Sequence, residues 1–328
     1  MKKRWFRVLV ILILFILLPC VKADAKETKE DRLLLMYSDI YINEKSIIEV
    51  TYSNRVDGEE LEVKTSDKTV VKVKLGKWDD SKKYIILTPQ KEGTATVTVV
   101  APDNEKKEIV VHVSEKKQLS TQELYRKCIS GVVEVVTTDS VNSINIGSGF
   151  FINGNMVVTN YHVIDCASNI KIRDYMGNMY EVDTIYDYNK NFDLAVLGIK
   201  NTAPSTLICN FSKVETGENV YAIGSPLSLS GSISEGIVSK AYRDREGVIY
   251  HQNTASIAQN SGGGPLLNIY GEVIAINTSR IIGAQNINFA LDINYLKQLN
   301  YINKAPIQEL YQENAGKIKV NTIYITLP

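Results

Sequence analysis

Short runs in which apolar and polar residues alternate fill residues 36–114 and predict β-strands. The clearest run is 94–99, where Thr alternates with Ala or Val. Turn signals at Asp57-Gly58 and Glu92-Gly93 separate such runs. Because these runs follow each other without a helical stretch, the pattern predicts a small β-sandwich.

Apolar β-runs continue from residue 130 to about residue 300, now interrupted by glycine turns, and predict two packed six-stranded barrels. Between the two regions lies a polar linker, residues 115–120. Ser120 is placed to cap a short helix that ends near Cys128, because Glu123 follows it by three residues. The sequence therefore predicts an all-β protein in which a sandwich precedes a double barrel.

The N-terminus has the pattern of a signal peptide. Lys2, Lys3 and Arg4 precede an apolar run at 8–18, and an A-x-A site ends at Ala25. The run is shorter than the ~20 residues of a membrane-spanning helix, so we expect export with cleavage, or a membrane anchor if the leader is retained. The predicted organisation is signal peptide (1–25), lead-in (26–35), sandwich (36–114), linker (115–120), barrel domain (121–300) and tail (301–328). Within the tail, the sequence predicts a helix at 306–314 and an edge strand at 319–326.

The net charge, the histidines and the cysteines limit which partners, metal sites and disulfides the sequence predicts. Lys plus Arg and Asp plus Glu both number 37, so nothing in the net charge favours nucleic acid or an anionic membrane. The three histidines and the absence of a C-x-x-C pair predict no metal site. We expect His112 and His251 to have packing or hydrogen-bonding roles. Three cysteines follow the leader, and either three buried thiols, which we favour, or one disulfide and one thiol fit this odd number: Cys128, Cys166 and Cys209.

Three segments carry the residue types of a serine peptidase. His162 follows an apolar strand, Asp193 precedes another, and Ser261 lies in the glycine-rich loop Asn260–Leu267. The order His, Asp, Ser is that of chymotrypsin-like barrels. A histidine must take the proton of a weakly nucleophilic serine, an aspartate orients the imidazole, and loop N–H groups stabilise the oxyanion.

These segments resemble the Deg/HtrA-type trypsin-like peptidases. The shared motifs over residues 121–296 are T-N-Y-H-V at 159–163, D-L-A-V-L at 193–197, A-I-G-S-P at 222–226, G-I-V-S at 236–239 and G-E-V-I-A-I-N-T at 271–278. The resemblance implies a protease that acts on proteins or peptides without a cofactor, with His162 as general base and Asp193 as its orienter. It also implies a specificity pocket that lacks an acidic residue and favours a small or medium apolar side chain, formed by Ser256, Ile276, Asn277 and Thr278.

The nucleophile loop departs from the family pattern by one residue. The family serine stands three residues before proline, and here that residue is Gly262. Our leading hypothesis is a serine endopeptidase in which the loop shifts so that Ser261 becomes the nucleophile, with Asn260, Gly262 and Gly263 around it. The alternative is an inactive pseudoprotease that binds peptides or a partner.

The sandwich resembles the Ig-like modules of exported bacterial proteins. The similarity lies in T-S-D-K-T-V-V-K-V at 65–73 and G-T-A-T-V-T-V at 93–99. It implies a spacer, adhesion or docking role with a cell-surface partner. A third hypothesis is therefore an adhesion protein in which this module carries the function.

Overall fold

The structure is a computed structural model, and it describes residues 33–35, 39–42, 45–53, 55–224, 231–257, 260–280, 286–301 and 304–307. The predicted signal peptide lies outside the described residues, as do the predicted strand at 319–326 and most of the predicted helix at 306–314. Within the described ranges, no helix has the length and apolar character needed to cross a membrane.

Eight strands form the N-terminal region as two four-stranded sheets, with the orders β1-β3-β6-β5 and β2-β8-β7-β4. Side chains from both sheets share one apolar core, the arrangement of the predicted β-sandwich. In β6, β7 and β8 the buried residues alternate with more exposed ones, as the sequence pattern requires. The strands are β1 (Leu33–Leu35), β2 (Asp39–Ile42), β3 (Ser46–Tyr52), β4 (Glu62–Thr65), β5 (Val71–Asp79), β6 (Lys82–Pro89), β7 (Gly93–Val100) and β8 (Lys106–Val113).

The first strand lies in the segment that the sequence assigned to the lead-in. Leu33 and Leu35 are buried, and β1 pairs antiparallel with β3, so this segment is an edge of the sandwich. A run of three residues is too short to show alternation by itself, and only pairing with β3 identifies it as a strand.

A short helix connects the sandwich and the barrels. Helix α1 (Thr121–Cys128) has the predicted capping box: Glu123 N–H donates to Ser120 Oγ at 3.3 Å, and Ser120 N–H donates to Glu123 Oε2 at 2.9 Å. In the preceding linker, Lys116 Nζ lies 2.8 Å from Glu272 Oε1 of the second barrel. The linker is therefore fixed to the barrel domain that follows it.

Twelve strands then form two closed six-stranded barrels, which confirms the predicted double barrel. Each barrel has its own apolar core, and a third apolar cluster contains side chains from strands of both barrels. Helix α2 (Tyr161–Ile164) follows the third strand of the first barrel. The strands are β9 (Val132–Thr138), β10 (Ile144–Asn153), β11 (Met156–Thr159), β12 (Asn169–Asp174), β13 (Met179–Asn189), β14 (Leu194–Ile199), β15 (Asn219–Gly224), β16 (Ser232–Arg245), β17 (Val248–Asn253), β18 (Pro265–Asn268), β19 (Val273–Arg280) and β20 (Asn288–Asp292).

The three cysteines, together with His112 and His251, lie in surroundings typical of packing or hydrogen-bonding residues. All three cysteines after the leader are buried thiols, which is the favoured one of the two arrangements. Burial raises the pKa of Cys209 to about 12 and that of Cys128 to about 11, which disfavours the reactive thiolate. His112 Nδ1 lies 3.0 Å from Thr94 Oγ1 on the sandwich. His251 is fully buried, with Nε2 3.1 Å from Asp292 Oδ2.

Candidate active site

His162 and Asp193 are in direct contact. Helix α2 begins just after β11 and presents His162 next to Asp193, which immediately precedes β14. The Asp193 carboxylate accepts two hydrogen bonds, from His162 Nδ1 to Oδ2 at 2.7 Å and from His162 N–H to Oδ1 at 2.8 Å. Because Nδ1 donates to a carboxylate, the neutral imidazole has its lone pair on Nε2. The pair has the geometry of a general base and its orienting acid.

The backbone at Asp193 supports this arrangement. Its φ of 55° lies in the left-handed region, which aspartate tolerates better than most residues.

Burial, followed by the negative charge of Asp193, raises the pKa of the nearby Tyr250 phenol to about 12. Tyr250 is therefore a neutral neighbour of the carboxylate at physiological pH.

Asn160 positions the pair, a role that the sequence did not reveal. Its side chain is fully buried, and Nδ2 donates to the Asp193 carbonyl at 2.8 Å and to Thr278 Oγ1 at 3.4 Å. Asn160 thus connects Asp193 of the first barrel to β19 of the second. The only signal in the sequence was a polar residue between an apolar strand and His162.

Ser148 of β10 holds the nucleophile loop against the first barrel. Ser148 N–H donates to the Gly262 carbonyl at 2.9 Å, and Ser148 Oγ donates to the Asn260 carbonyl at 2.7 Å. On the other side, Gly263 N–H donates to the Asn277 carbonyl at 2.7 Å. Only glycine fits at position 263, where φ is 87° and a β-carbon would lie 2.2 Å from the Ser148 carbonyl oxygen.

Position 262 of this loop faces the imidazole. A β-carbon on Gly262 would lie 3.3 Å from His162 Nε2 and 3.2 Å from Asn160 Oδ1. The φ of Gly262 is outside the left-handed region, so the backbone accepts an L-residue there. Gly262 therefore occupies the position from which a side chain would reach the general base.

Ser261 has different surroundings. It is 6 % exposed and lines a cavity of the second barrel, and a β-carbon on Gly224 would lie 3.7 Å from Ser261 Cβ. The one-residue shift of the loop that we considered from the sequence is not the arrangement in this structure. The hydrogen bonds that join the loop to Ser148 and to Asn277 hold residue 262 towards His162.

The cavity beside the loop has a volume of about 220 Å³ and contains part of the predicted specificity pocket. Ser256 and Asn277 line it, together with Ser261 and the hydroxyl-bearing residues Ser232 and Ser234. None of the described residues that line it is charged. The cavity suits a small side chain better than a basic one.

Two residues predicted for the pocket do not line the cavity. Ile276 is fully buried in the apolar cluster shared by the barrels, and Thr278 Oγ1 donates to the Ile276 carbonyl at 3.1 Å. The reason is the pleat of β19, because consecutive strand residues point to opposite faces and only Asn277 points into the cavity. Ile276 and Thr278 stay predictions for the specificity pocket, whereas Ser256 and Asn277 lie at the cavity.

The double barrel, the histidine–aspartate pair and the glycine-rich loop together define a trypsin-like peptidase domain. Residues 147–276 match the family described as "Trypsin-like peptidase domain". Mouse "Serine protease HTRA3" is 37 % identical over 161 residues, which cover 44 % of this chain and 34 % of the mouse protein. The chain spans about a third of the length of the curated relatives it matches.

The solved structures to which this chain is similar include proteases as well. The "serine endoprotease from Yersinia pestis" has 27 % identity and a TM-score of 0.50, covering 60 % of this chain and 68 % of that one. The "HtrA-type protease AlgW with tripeptide" has 24 % identity and a TM-score of 0.51, covering 55 % and 62 %, a likeness of fold alone. The double-barrel part of the chain is therefore similar to trypsin-like serine peptidase domains of the Deg/HtrA type.

Proposed function

We propose that the double-barrel domain is a peptide-binding module, which holds peptide segments beside His162 and forms no acyl-enzyme. The observation that carries this proposal is the position of Gly262. An acyl-enzyme requires a nucleophilic side chain within hydrogen-bond reach of the base, and glycine has none. Ser261, one residue earlier, lines the cavity of the second barrel.

The remaining parts of the site support peptide binding. The cavity of about 220 Å³ beside the loop is suited to one small side chain of a bound peptide, and its serines and Asn277 offer hydrogen bonds. The relatives act as serine proteases, whose substrates are proteins or peptides. A domain that keeps this pocket but lacks the nucleophile would bind such segments without cleaving them through an acyl-enzyme.

Calorimetric titration with blocked tetrapeptides that vary in one residue tests this function. We expect Ala or Val at the cavity to be preferred over Lys or Phe. Ser256→Leu fills the cavity and should weaken binding at least about tenfold, which corresponds to ~1.4 kcal/mol. Ser140→Leu, at an exposed position, is the matched control. Equal binding of all peptides to both variants would refute the proposal.

A serine endopeptidase that uses Ser261 is the second candidate, because the His162–Asp193 contact of 2.7 Å is intact. It requires the loop to move by one residue, which breaks the hydrogen bonds from Ser148 N–H and from Gly263 N–H. Loss of peptide hydrolysis in Ser261→Ala, together with unchanged peptide affinity, would favour this candidate.

We also propose that residues 1–25 direct export and that the sandwich is an Ig-like spacer or docking module for a cell-surface partner. The basic and apolar leader and the two-sheet sandwich support these assignments. N-terminal sequencing of the protein from the culture medium and from membranes tests export, with Lys26 expected as the first residue. Recovery of the full-length chain in the cytoplasm alone would contradict it.

A further inference from the structure

The imidazole of His162 still has the arrangement of a working general base. Nδ1 donates to Asp193 Oδ2 at 2.7 Å, which leaves Nε2 as a hydrogen-bond acceptor. Nε2 faces residue 262, since a β-carbon there would lie 3.3 Å away. The His162 side chain is 35 % exposed and Gly262 is partly exposed, so solvent reaches the space between them.

Glycine at 262 changes which molecule this base can activate. In a serine peptidase the nucleophile's hydroxyl occupies the space in front of Nε2, whereas residue 262, which faces Nε2 here, has no side chain. A water molecule is small enough to take that position and to donate a hydrogen bond to Nε2. It would then lie next to the cavity that holds a peptide side chain, because Ser261, the neighbour of Gly262, lines that cavity.

We propose that His162 activates a water molecule above Gly262 and that the domain hydrolyses bound acyl substrates by direct attack of this water. The inference rests on the proposed peptide binding. The substrate class is a peptide, or an activated ester or amide, with a small residue in the cavity. No covalent enzyme intermediate forms, which distinguishes this activity from that of a serine peptidase.

The reaction balances with the groups that the site contains. The water oxygen forms a bond to the acyl carbon while one water proton moves to His162 Nε2, and Asp193 stabilises the imidazolium. The carbonyl oxygen becomes an oxyanion. When this intermediate collapses, the bond to the leaving group breaks, and the imidazolium returns the proton to the departing amine or alcohol.

The loop limits which amides can stabilise the oxyanion. The N–H groups of Gly263 and Gly264 already donate to the carbonyls of Asn277 and Ser261. Neither of these two N–H groups is therefore available to the oxyanion. Ser148 donates to the carbonyls of Asn260 and Gly262 and so holds residues 260–262 in place.

The test measures hydrolysis of a blocked alanine 4-nitrophenyl ester and of the matching aminomethylcoumarin amide by residues 26–328. We expect slow turnover without an initial burst, unchanged after treatment with a fluorophosphonate. His162→Ala should lower the rate about 100-fold or more, the usual contribution of a general base. His112→Ala, at a partly exposed histidine of the sandwich, is the matched control and should have no effect.

Gly262→Ala separates water activation from other uses of the histidine. Its methyl group would lie 3.3 Å from Nε2 and displace the attacking water, so we expect a fall of about 100-fold with His162 still present. Gly154→Ala, where a β-carbon meets open space, controls for the change of glycine itself. Thermal melting and peptide titration of each variant verify folding and binding.

Each outcome has one meaning. Hydrolysis lost in both His162→Ala and Gly262→Ala, and resistant to the fluorophosphonate, supports the proposal. A burst with an adduct on Ser261 overturns it in favour of a serine mechanism. Peptide binding without hydrolysis above the level of His162→Ala overturns this inference and leaves the proposed binding function intact. Absence of both binding and hydrolysis overturns the two together.

Discussion

Replacing Gly262 by serine should convert the domain into a serine peptidase. A β-carbon at this position would lie 3.3 Å from His162 Nε2, and the hydroxyl extends one bond further towards it. The φ of residue 262 permits an L-residue, and the nearest atoms, at 3.2–3.3 Å, belong to the side chains of Asn160 and His162. The substitution therefore requires shifts of a few tenths of an ångström and no new loop conformation.

The size of the gain follows from what each part of such a site contributes. Removing the nucleophile of a complete triad costs about 10⁶-fold in kcat, and removing one oxyanion-hole donor costs about 10²–10³-fold. If serine is restored while one donor is out of place, about 10³-fold of the gain remains. That is roughly 4 kcal/mol of transition-state stabilisation. We therefore predict a rise in kcat/KM of at least about 10³-fold for Gly262→Ser.

The assay compares kcat/KM for the aminomethylcoumarin amide between the wild-type protein, Gly262→Ser and the control Gly154→Ser, which places serine in open space. The gain should disappear when His162→Ala is added to Gly262→Ser. A folded Gly262→Ser protein that binds the peptide but shows neither faster hydrolysis nor fluorophosphonate labelling would refute the reasoning, because residue 262 would then not face the base.

Three further predictions concern stability and reactivity. Gly263→Ala should lower the free energy of unfolding by at least ~2 kcal/mol in denaturant titrations, because φ is 87° and the β-carbon meets a carbonyl, whereas Gly154→Ala should stay within ~0.5 kcal/mol. Burial alone would raise the pKa of Asp292, but hydrogen bonds from His251 and Asn294 outweigh it and lower the pKa, so the stabilisation is present above about pH 4 and lost as the pH falls further. Asp292→Asn should thus destabilise by ~2 kcal/mol at pH 7, with the difference shrinking below pH 4 in acid titrations, and a constant difference would contradict this account. The buried thiol of Cys209, with its pKa of about 12, should react with a disulfide reagent at pH 8 only after unfolding, and fast labelling of the native protein would be inconsistent with its burial.

The sequence was sufficient for the double barrel and for the histidine–aspartate pair. Glycine-punctuated β-runs of regular spacing predict barrel strands, and the resemblance of the segments around His162 and Asp193 to the Deg/HtrA-type peptidases implies that these two side chains meet. Both features depend on local pattern and chain order. They needed no knowledge of how individual side chains turn.

Features that depend on contacts between distant residues could not be predicted from the sequence. Whether residue 261 or 262 faces His162 is decided by Ser148, which donates to the loop from 112 residues earlier in the chain. The role of Asn160 arises from a hydrogen bond to a strand 118 residues away. The orientation of Ile276 needed the register of β19, because a shift of one residue exchanges the two faces of a strand.

The central claim is that residue 262, which faces His162, has no nucleophilic side chain. One measurement tests this claim most directly. Purified protein is incubated with a fluorophosphonate, and any adduct is located by peptide mass spectrometry. The account predicts no adduct in the wild-type protein and an adduct on residue 262 in Gly262→Ser. An adduct on Ser261 of the wild-type protein, abolished by His162→Ala, would contradict it.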